Sequence, residues 1–403
     1  MKPELRCVLV VGGAYLVQGL VATVGTFLIG MLAQLGTPLE TQVGLLASGS
    51  IPWVLKFVLA LVLDLSPSWS LRTRALVLTA LQACAAVCVW AIANAWAGGQ
   101  AGGPGSLPAV AAGWISLNAC AATMDVFVDA LALDTLREHR PATATAMGVG
   151  FALGSGVLGS LVIAARIGSE GMSAGLRTPV AWIATLALLP VALLWRPERP
   201  TKAREQPESR AWRSDDLARF AWMLPCFVVL LFGANLTQAV GSHFVYGRLG
   251  WQFPTDTAIL SMIAAVTGLL GAFACGPLVA KLGPAWAAMI SSALLGLVWL
   301  IFAGTEPLWS QHLVILTLSS WEGVLQPALL VGLHAIALTI AARTPVPTTA
   351  FVLAMAAINL PRVLAPLVAP RMLELGWVGL FVACGLLQVI VSAGVWPLGS
   401  RRS

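Results

Sequence analysis

A chain of 403 residues that is 58% hydrophobic and only 10% charged lies outside the range of soluble domains, which carry about a quarter charged residues. The net charge of +6 gathers in short polar stretches between long apolar runs, which points to a lipid bilayer as partner and excludes nucleic acid. The seven cysteines are scattered through apolar segments with no CxxC pair, so neither a disulfide framework nor a metal site is expected. No GxxxxGK[ST] phosphate loop is present, so ATP is not the energy source in this chain, and no cofactor is implied.

A membrane-crossing helix needs about 20 mostly apolar residues, and twelve such runs follow one another. The first, 5–33, continues at full length and reads as a span, not a cleaved leader. The second, 38–63, contains Trp53 and Lys56 and closes on "LALVLDL" with Asp64. The third, 73–97, carries Cys84 and Cys88 one helical turn apart, a packing pair. The fourth, 108–136, contains Trp114 and the stretch "ATMDVFVDALALD", which sets Asp125, Asp129 and Asp134 among apolar neighbours. The fifth, 142–166, has Gly150 and Gly154 in a small-xxx-small pattern suited to close helix packing. The sixth, 178–196, leads into the one long polar stretch, "RPERPTKAREQPESRAWRSDD". Then come 217–247 with His243, 255–280 followed by "GPLVAKLG", and 284–304 with Trp299. The last three are 309–341 with Trp321, Glu322 and His334, 345–373 with Arg362, and 376–397. The histidines are expected to be hydrogen-bonded interior residues. Trp69, Trp96, Trp195, Trp309 and Trp377 fall at predicted interfaces, as an aromatic belt would.

The polar stretch separates two nearly equal halves, 1–196 and 217–403, with 197–216 as linker. Lys2, Arg6, Arg72, Arg74, Arg137, Arg140, the central basic cluster, Lys281, Arg343, Arg401 and Arg402 share one side. Only Arg166, Arg177, Arg248 and Arg371 fall in the opposite loops. The positive-inside rule then places both termini and the linker in the cytoplasm. "LALVLDL" and "GPLVAKLG" occupy matching positions in the halves. Six plus six helices with a cytoplasmic linker is the pattern of two parallel repeats, as in major facilitator transporters. The expected fold is therefore an all-α membrane protein, a twelve-helix bundle of two six-helix pseudo-repeats.

Ionisable residues at membrane depth are costly, and each is a functional candidate. Five are placed well inside: Lys56, Asp125, Asp129, Glu322 and Arg362, whereas Asp64 and Asp134 fall near cytoplasmic helix ends. From the helical rise, Lys56 and Asp125 each lie about 25 Å below the outer end of their span. Asp129 is one turn deeper on the same face as Asp125. A Lys56–Asp125–Asp129 cluster is geometrically allowed, either as a proton or substrate site or as an ion pair that locks two helices. Glu322 and Arg362 either pair or share a substrate, and Arg362 has the alternative of snorkelling outward. Pro361, with Pro366 and Pro370 after it, is expected to interrupt the eleventh span and free carbonyls there. Three carboxylates face two cations, so one acid lacks a counter-charge. Two carboxylates one turn apart resist ionising together, which suits a proton-coupled carrier; a sodium ion or a cationic substrate is the alternative. Trp53, Trp114, Trp299 and Trp321 lie further in, where a planar substrate could stack on them.

"SIPWVLKFVLALVLD" (Ser50–Asp64) resembles the second-helix signature of AmpG-like permeases, and "ATMDVFVDALALD" resembles their fourth-helix "ATQDI-x-x-D" signature. "LGWVGLFVACGLL" (Leu375–Leu387) and "GPLVAKLG" are similar to later parts of the same set. Met124 stands where those permeases have glutamine, and Ala60–Val62 where they have "WAP". The set includes muropeptide permeases, siderophore permeases of the RhtX/FptX type and acetyl-CoA transporter relatives. "YLVQGL" at Tyr15–Leu20 and the twelve spans look more like the siderophore branch. The resemblance implies the major facilitator bundle and puts Lys56, Asp64, Asp125 and Asp129 at signature positions.

The expectation is a monomeric secondary transporter of a bacterial inner membrane, not an enzyme, that imports a mid-sized organic solute such as a siderophore or a muropeptide on the proton gradient. Its coupling residues would be Asp125, Asp129 and Lys56, its substrate cavity Glu322, Arg362, Trp53 and Trp321, and its cytoplasmic gating residues Asp64 and Asp134. The contrasting expectations are an efflux carrier of the same fold and a non-transporting assembly or sensor protein.

Overall fold

The computed structural model describes residues 3–65, 70–97, 104–135, 140–194, 214–341, 343–344 and 346–399. They form helices joined by short turns, with no strand among them. In a bilayer every backbone N–H and C=O must be satisfied within the protein, and the helix does this locally. Twelve of the helical stretches are long and apolar enough to cross a membrane, from Leu5–Gln34 to Gly376–Leu398. The chain is a multi-pass membrane protein. Val87, Trp90, Val266, Leu270 and Phe273 are exposed large apolar side chains, the surface that hydrocarbon covers.

In chain order the helices are α1 (Pro3–Gln34), α2 (Leu39–Leu55), α3 (Phe57–Leu65), α4 (Leu71–Trp96), α5 (Leu107–Thr135), α6 (Arg140–Ala152), α7 (Ala164–Glu170), α8 (Met172–Leu186) and α9 (Leu189–Leu194). They continue as α10 (Ser214–Ser242), α11 (Thr255–Leu282), α12 (Pro284–Gly304), α13 (His312–Ala341), α14 (Pro347–Asn359), α15 (Pro361–Leu373), α16 (Gly376–Ser392) and α17 (Trp396–Gly399). A π-helical segment, Leu153–Ile163, joins α6 to α7, and a second, His243–Arg248, extends α10. The second span is broken at Lys56 and the eleventh at Leu360. Pro361 accounts for the latter break, because it has no N–H to give the carbonyl one turn back. Pro366 and Pro370 lie inside α15 without ending it.

The expected loop between the fifth and sixth spans is absent. α7 runs to Glu170, a single Gly171 at φ 89° makes the turn, and α8 begins at Met172. Arg166 and Arg177, read as loop residues, are helical. Arg166 pairs with Glu170 one turn on, and Arg177 Nη2 donates to Asn94 Oδ1 at 2.8 Å. Each guanidinium finds its partner at the helix end, so no loop is needed to solvate it.

The chain divides into two compact units. Unit 1 comprises Met1–Val24, Leu55–Leu217 and Ala341–Leu353. Within it α1 lies against the fifth span through a glycine seam. A Cβ on Gly150 would overlap the carbonyl oxygen of Gly12, one on Gly154 that of Leu16, and one on Gly19 that of Phe151. Thr23 Oγ1 donates to the Ser155 carbonyl at 3.2 Å across the same seam. The small-residue pattern of the sequence is thus a packing device.

Unit 2 comprises Gly25–Val54, Ala218–Ile340 and Ala354–Ser403. Its core is aromatic: Phe244, Phe302, Trp309 and Phe381 meet edge to face or stacked, with Phe302 and Trp309 centroids 4.9 Å apart at 14°. Trp309 is therefore not a belt residue. It is 2% exposed, and its indole N–H donates to the Phe302 carbonyl at 3.0 Å. Trp96, also expected in the belt, is buried as well; Trp69 and Trp195 lie outside the described residues.

Candidate functional site

The glycine seam fixes the rotation of α1. With Gly12, Leu16 and Gly19 turned to the fifth span, the adjoining face carries Tyr15 and Gln18. In unit 1 that face meets α5 at Asp125 and Asp129, one turn apart. Gln18 Nε2 donates to Asp125 Oδ1 at 2.9 Å. Lys56, at the break between α2 and α3, donates to the other oxygen, Oδ2. The Tyr15 hydroxyl lies beside Asp125 and Asp129. Lys56, Asp125 and Asp129 are 3%, 6% and 4% exposed.

The chemistry of this cluster follows from its inventory. An isolated buried charge is heavily penalised, whereas a paired and hydrogen-bonded one is tolerated. Asp125 is fully engaged by one cation and one carboxamide. Asp129 shares the field of Lys56 and of Asp125 and has the neutral Tyr15 hydroxyl beside it. Two carboxyls share one ammonium, so the cluster has room for one exchangeable positive charge.

Asp64 ends α3 in a different setting. Its Oδ2 accepts the Thr349 backbone N–H and the Thr349 hydroxyl, both at 2.7 Å. Thr349 is the third residue of α14, so Asp64 caps that helix from 285 residues away. Asp134 lies in α5, with its side chain outside the described residues.

In unit 2 the Trp299 indole donates to Glu322 Oε1. Trp299 is 0% exposed and is spent on this carboxyl, which excludes the stacking role considered for it. Trp321, in contrast, is 53% exposed. Trp53 is partly buried in α2, and Arg362 is exposed as the second residue of α15. His334 Nδ1 lies 2.6 Å from the Leu330 carbonyl of its own helix, and His243 stacks on Trp377.

Reasoning from charge missed Tyr15, Gln18, Trp299 and Thr349 as partners. The signal for the first two was present: they are polar residues three apart in an otherwise apolar run, "YLVQGL".

No protein-family model matches the sequence, and no curated protein matches it. Solved structures do. A mutant form of the nucleoside transporter NupG superposes with a TM-score of 0.70 at 14% identity, covering 98% of this chain and 100% of that one. NupG itself gives 0.64 at 15% identity over 100% of both chains. A D-xylose-proton symporter gives 0.68 at 16% identity over 98% of this chain and 95% of the other. With twelve apolar spans, helices alone among the described residues, and likeness along the whole chain to these structures, the chain has the all-α major facilitator fold.

Proposed function

We propose that the protein is a proton-coupled secondary transporter of a bacterial inner membrane that imports a mid-sized organic solute, a siderophore or a muropeptide, in keeping with its resemblance to AmpG-like permeases. The observation that carries this reading is the buried Tyr15–Gln18–Lys56–Asp125–Asp129 cluster. Such a cluster is costly at membrane depth and is retained where ions or protons move. The fold supports the same reading, since its structural neighbours include a proton symporter by name.

In this reading Asp125 stays ionised, held by Lys56 and Gln18, and Asp129 carries the exchangeable proton on the Tyr15 side. The proton biases the conformational equilibrium through a difference in affinity between outward and inward states. Residues 1–196 and 217–403 act as the two moving halves joined by the cytoplasmic linker 197–216, and both termini are cytoplasmic. Asp64 secures the cytoplasmic end through Thr349. Reporter fusions after Arg204 should then read cytoplasm and those near Gly102 the far side.

The test is uptake into proteoliposomes over siderophores and anhydromuropeptides. Uptake should accelerate when the outside is acid and collapse with a protonophore. Uptake that ignores the proton gradient, or follows sodium, overturns the coupling. Failure to carry any solute overturns the transporter reading.

A further inference from the structure

Three helices meet at one end of unit 2. α11 finishes at Leu282, Gly283 makes the turn at φ 88°, α12 begins at Pro284, and α17 begins at Trp396. Leu282, Pro284, Trp286, Met289 and Trp396 line a groove there. The two indoles meet edge to face, with centroids 4.8 Å apart at 88°. They are 42% and 52% exposed. From the groove, Trp286, Ile290, Ala293 and Leu297 recur at i, i+4, i+7 and i+11 on α12, so they form one stripe along the helix. None of the four is buried. The stripe runs about 16 Å from the end of the span towards its middle.

The groups at the mouth of the groove have unspent capacity. Trp222, Trp299 and Trp309 each donate their indole N–H to an oxygen of the protein. Trp286 and Trp396 donate theirs to none of the described residues. Lys281, next to Leu282 at the end of α11, has no acidic partner among the described residues. The segments 257–305 and 375–403 contain no aspartate or glutamate, and their cations are Lys281, Arg401 and Arg402. The two arginines follow Trp396 within six residues.

These features select among ligands. A tryptophan at the edge of a bilayer keeps its ring in the apolar layer and offers its N–H to headgroup oxygens. A basic pocket at the end of transmembrane helices favours an anionic headgroup. A free anion would leave the apolar stripe unused. A zwitterionic lipid would bring its own cation up to Lys281.

We propose that the groove between the α11–α12 turn and α17 binds an anionic phospholipid. The Trp286 and Trp396 indoles donate to its phosphate and ester oxygens, Lys281 answers its charge, and an acyl chain lies along the α12 stripe. This site is independent of the transported solute and of proton coupling, so its failure leaves the transporter reading standing.

The test titrates the purified full chain in detergent with dioleoyl phosphatidylglycerol, with dioleoyl phosphatidylcholine and with inorganic phosphate, and follows the unfolding temperature. Phosphatidylglycerol should raise it saturably, phosphatidylcholine should bind at least about fivefold more weakly, the worth of one cation beside an anionic headgroup, and phosphate should do nothing. Lys281→Ala should remove that preference. Lys281→Gln serves in its place if the alanine variant does not fold, as judged by circular dichroism. Trp286→Leu combined with Trp396→Leu keeps the groove apolar and should weaken both lipids at least about tenfold, the loss of two hydrogen bonds. Equal binding of the two lipids by the parent, or folded variants that bind phosphatidylglycerol as the parent does, overturns the site. Stabilisation by phosphate alone to the same degree makes it a free-anion site and overturns the lipid assignment.

Discussion

The polar clusters of the two units solve the same problem in opposite ways. Unit 1 buries charge: Lys56, Asp125 and Asp129 are almost wholly inaccessible, and Asp125 is tied to both Lys56 and Gln18. Unit 2 joins neutral carboxamides to each other and sets the carboxyl of α13, Glu322, under an indole N–H. In low dielectric a charge must be answered internally, so the charged cluster is self-contained and suited to holding a proton. A carboxamide tolerates partial hydration and can keep valences open. The difference teaches that fixed charge and neutral hydrogen-bonding capacity are separated between the two units.

The largest effect that would sharpen this comparison is expected at Asp129. Asp129→Asn should abolish concentrative uptake while leaving substrate exchange, measured as counterflow with and without a protonophore. Normal accumulation by this variant would reduce the unit 1 cluster to a structural device.

Next in size is the ion pair. Lys56→Ala strands a buried carboxylate and should cost about 3–5 kcal/mol of stability. Combining it with Asp125→Asn should restore a good part of that, read from the unfolding temperature in detergent. A double variant no more stable than the single would show that the pair is not the source of the cost.

A smaller loss is expected in unit 2. Trp299→Phe removes the only indole N–H donated to Glu322 by that residue, at about 1.5–3 kcal/mol for a hydrogen bond to a charged group. Replacing Glu322 with Gln in the same background should recover stability. If the two changes add independently, the Trp299–Glu322 bond is not the origin.

The smallest concerns the long-range cap. Asp64→Ala should cost about 0.5–2 kcal/mol, the range for losing an N-terminal helix cap, and Thr349→Val should lose only the hydroxyl part. Equal stability in Asp64→Ala and the parent would dismiss the cap.

Much of this was legible in the sequence. Spans such as Pro284–Gly304 and His312–Ala341 could be read from apolar run length alone, because a bilayer sets a minimum length and forces the backbone into helices. The glycine pattern at Gly150 and Gly154 also announced itself, since only small residues permit backbone overlap. Pro361 marked its own break. Lys56 and the two aspartates of α5 could be nominated together, because charge at membrane depth has few places to go.

Other features needed the tertiary structure. That Asp125 takes both Lys56 and Gln18, with Tyr15 beside it and Asp129, depends on how the glycine seam rotates α1. That Trp309 and Trp299 are buried partners, not belt or stacking residues, depends on neighbours from distant segments of the chain. The pairing of Asp64 with Thr349, and of Gln238 with Gln326, joins residues 285 and 88 positions apart. The physical reason is common to all of these. Run length and periodicity are local properties that solvent imposes on each segment separately, whereas the partner of a polar group is set by which helix faces meet, and that is fixed only when the whole bundle packs.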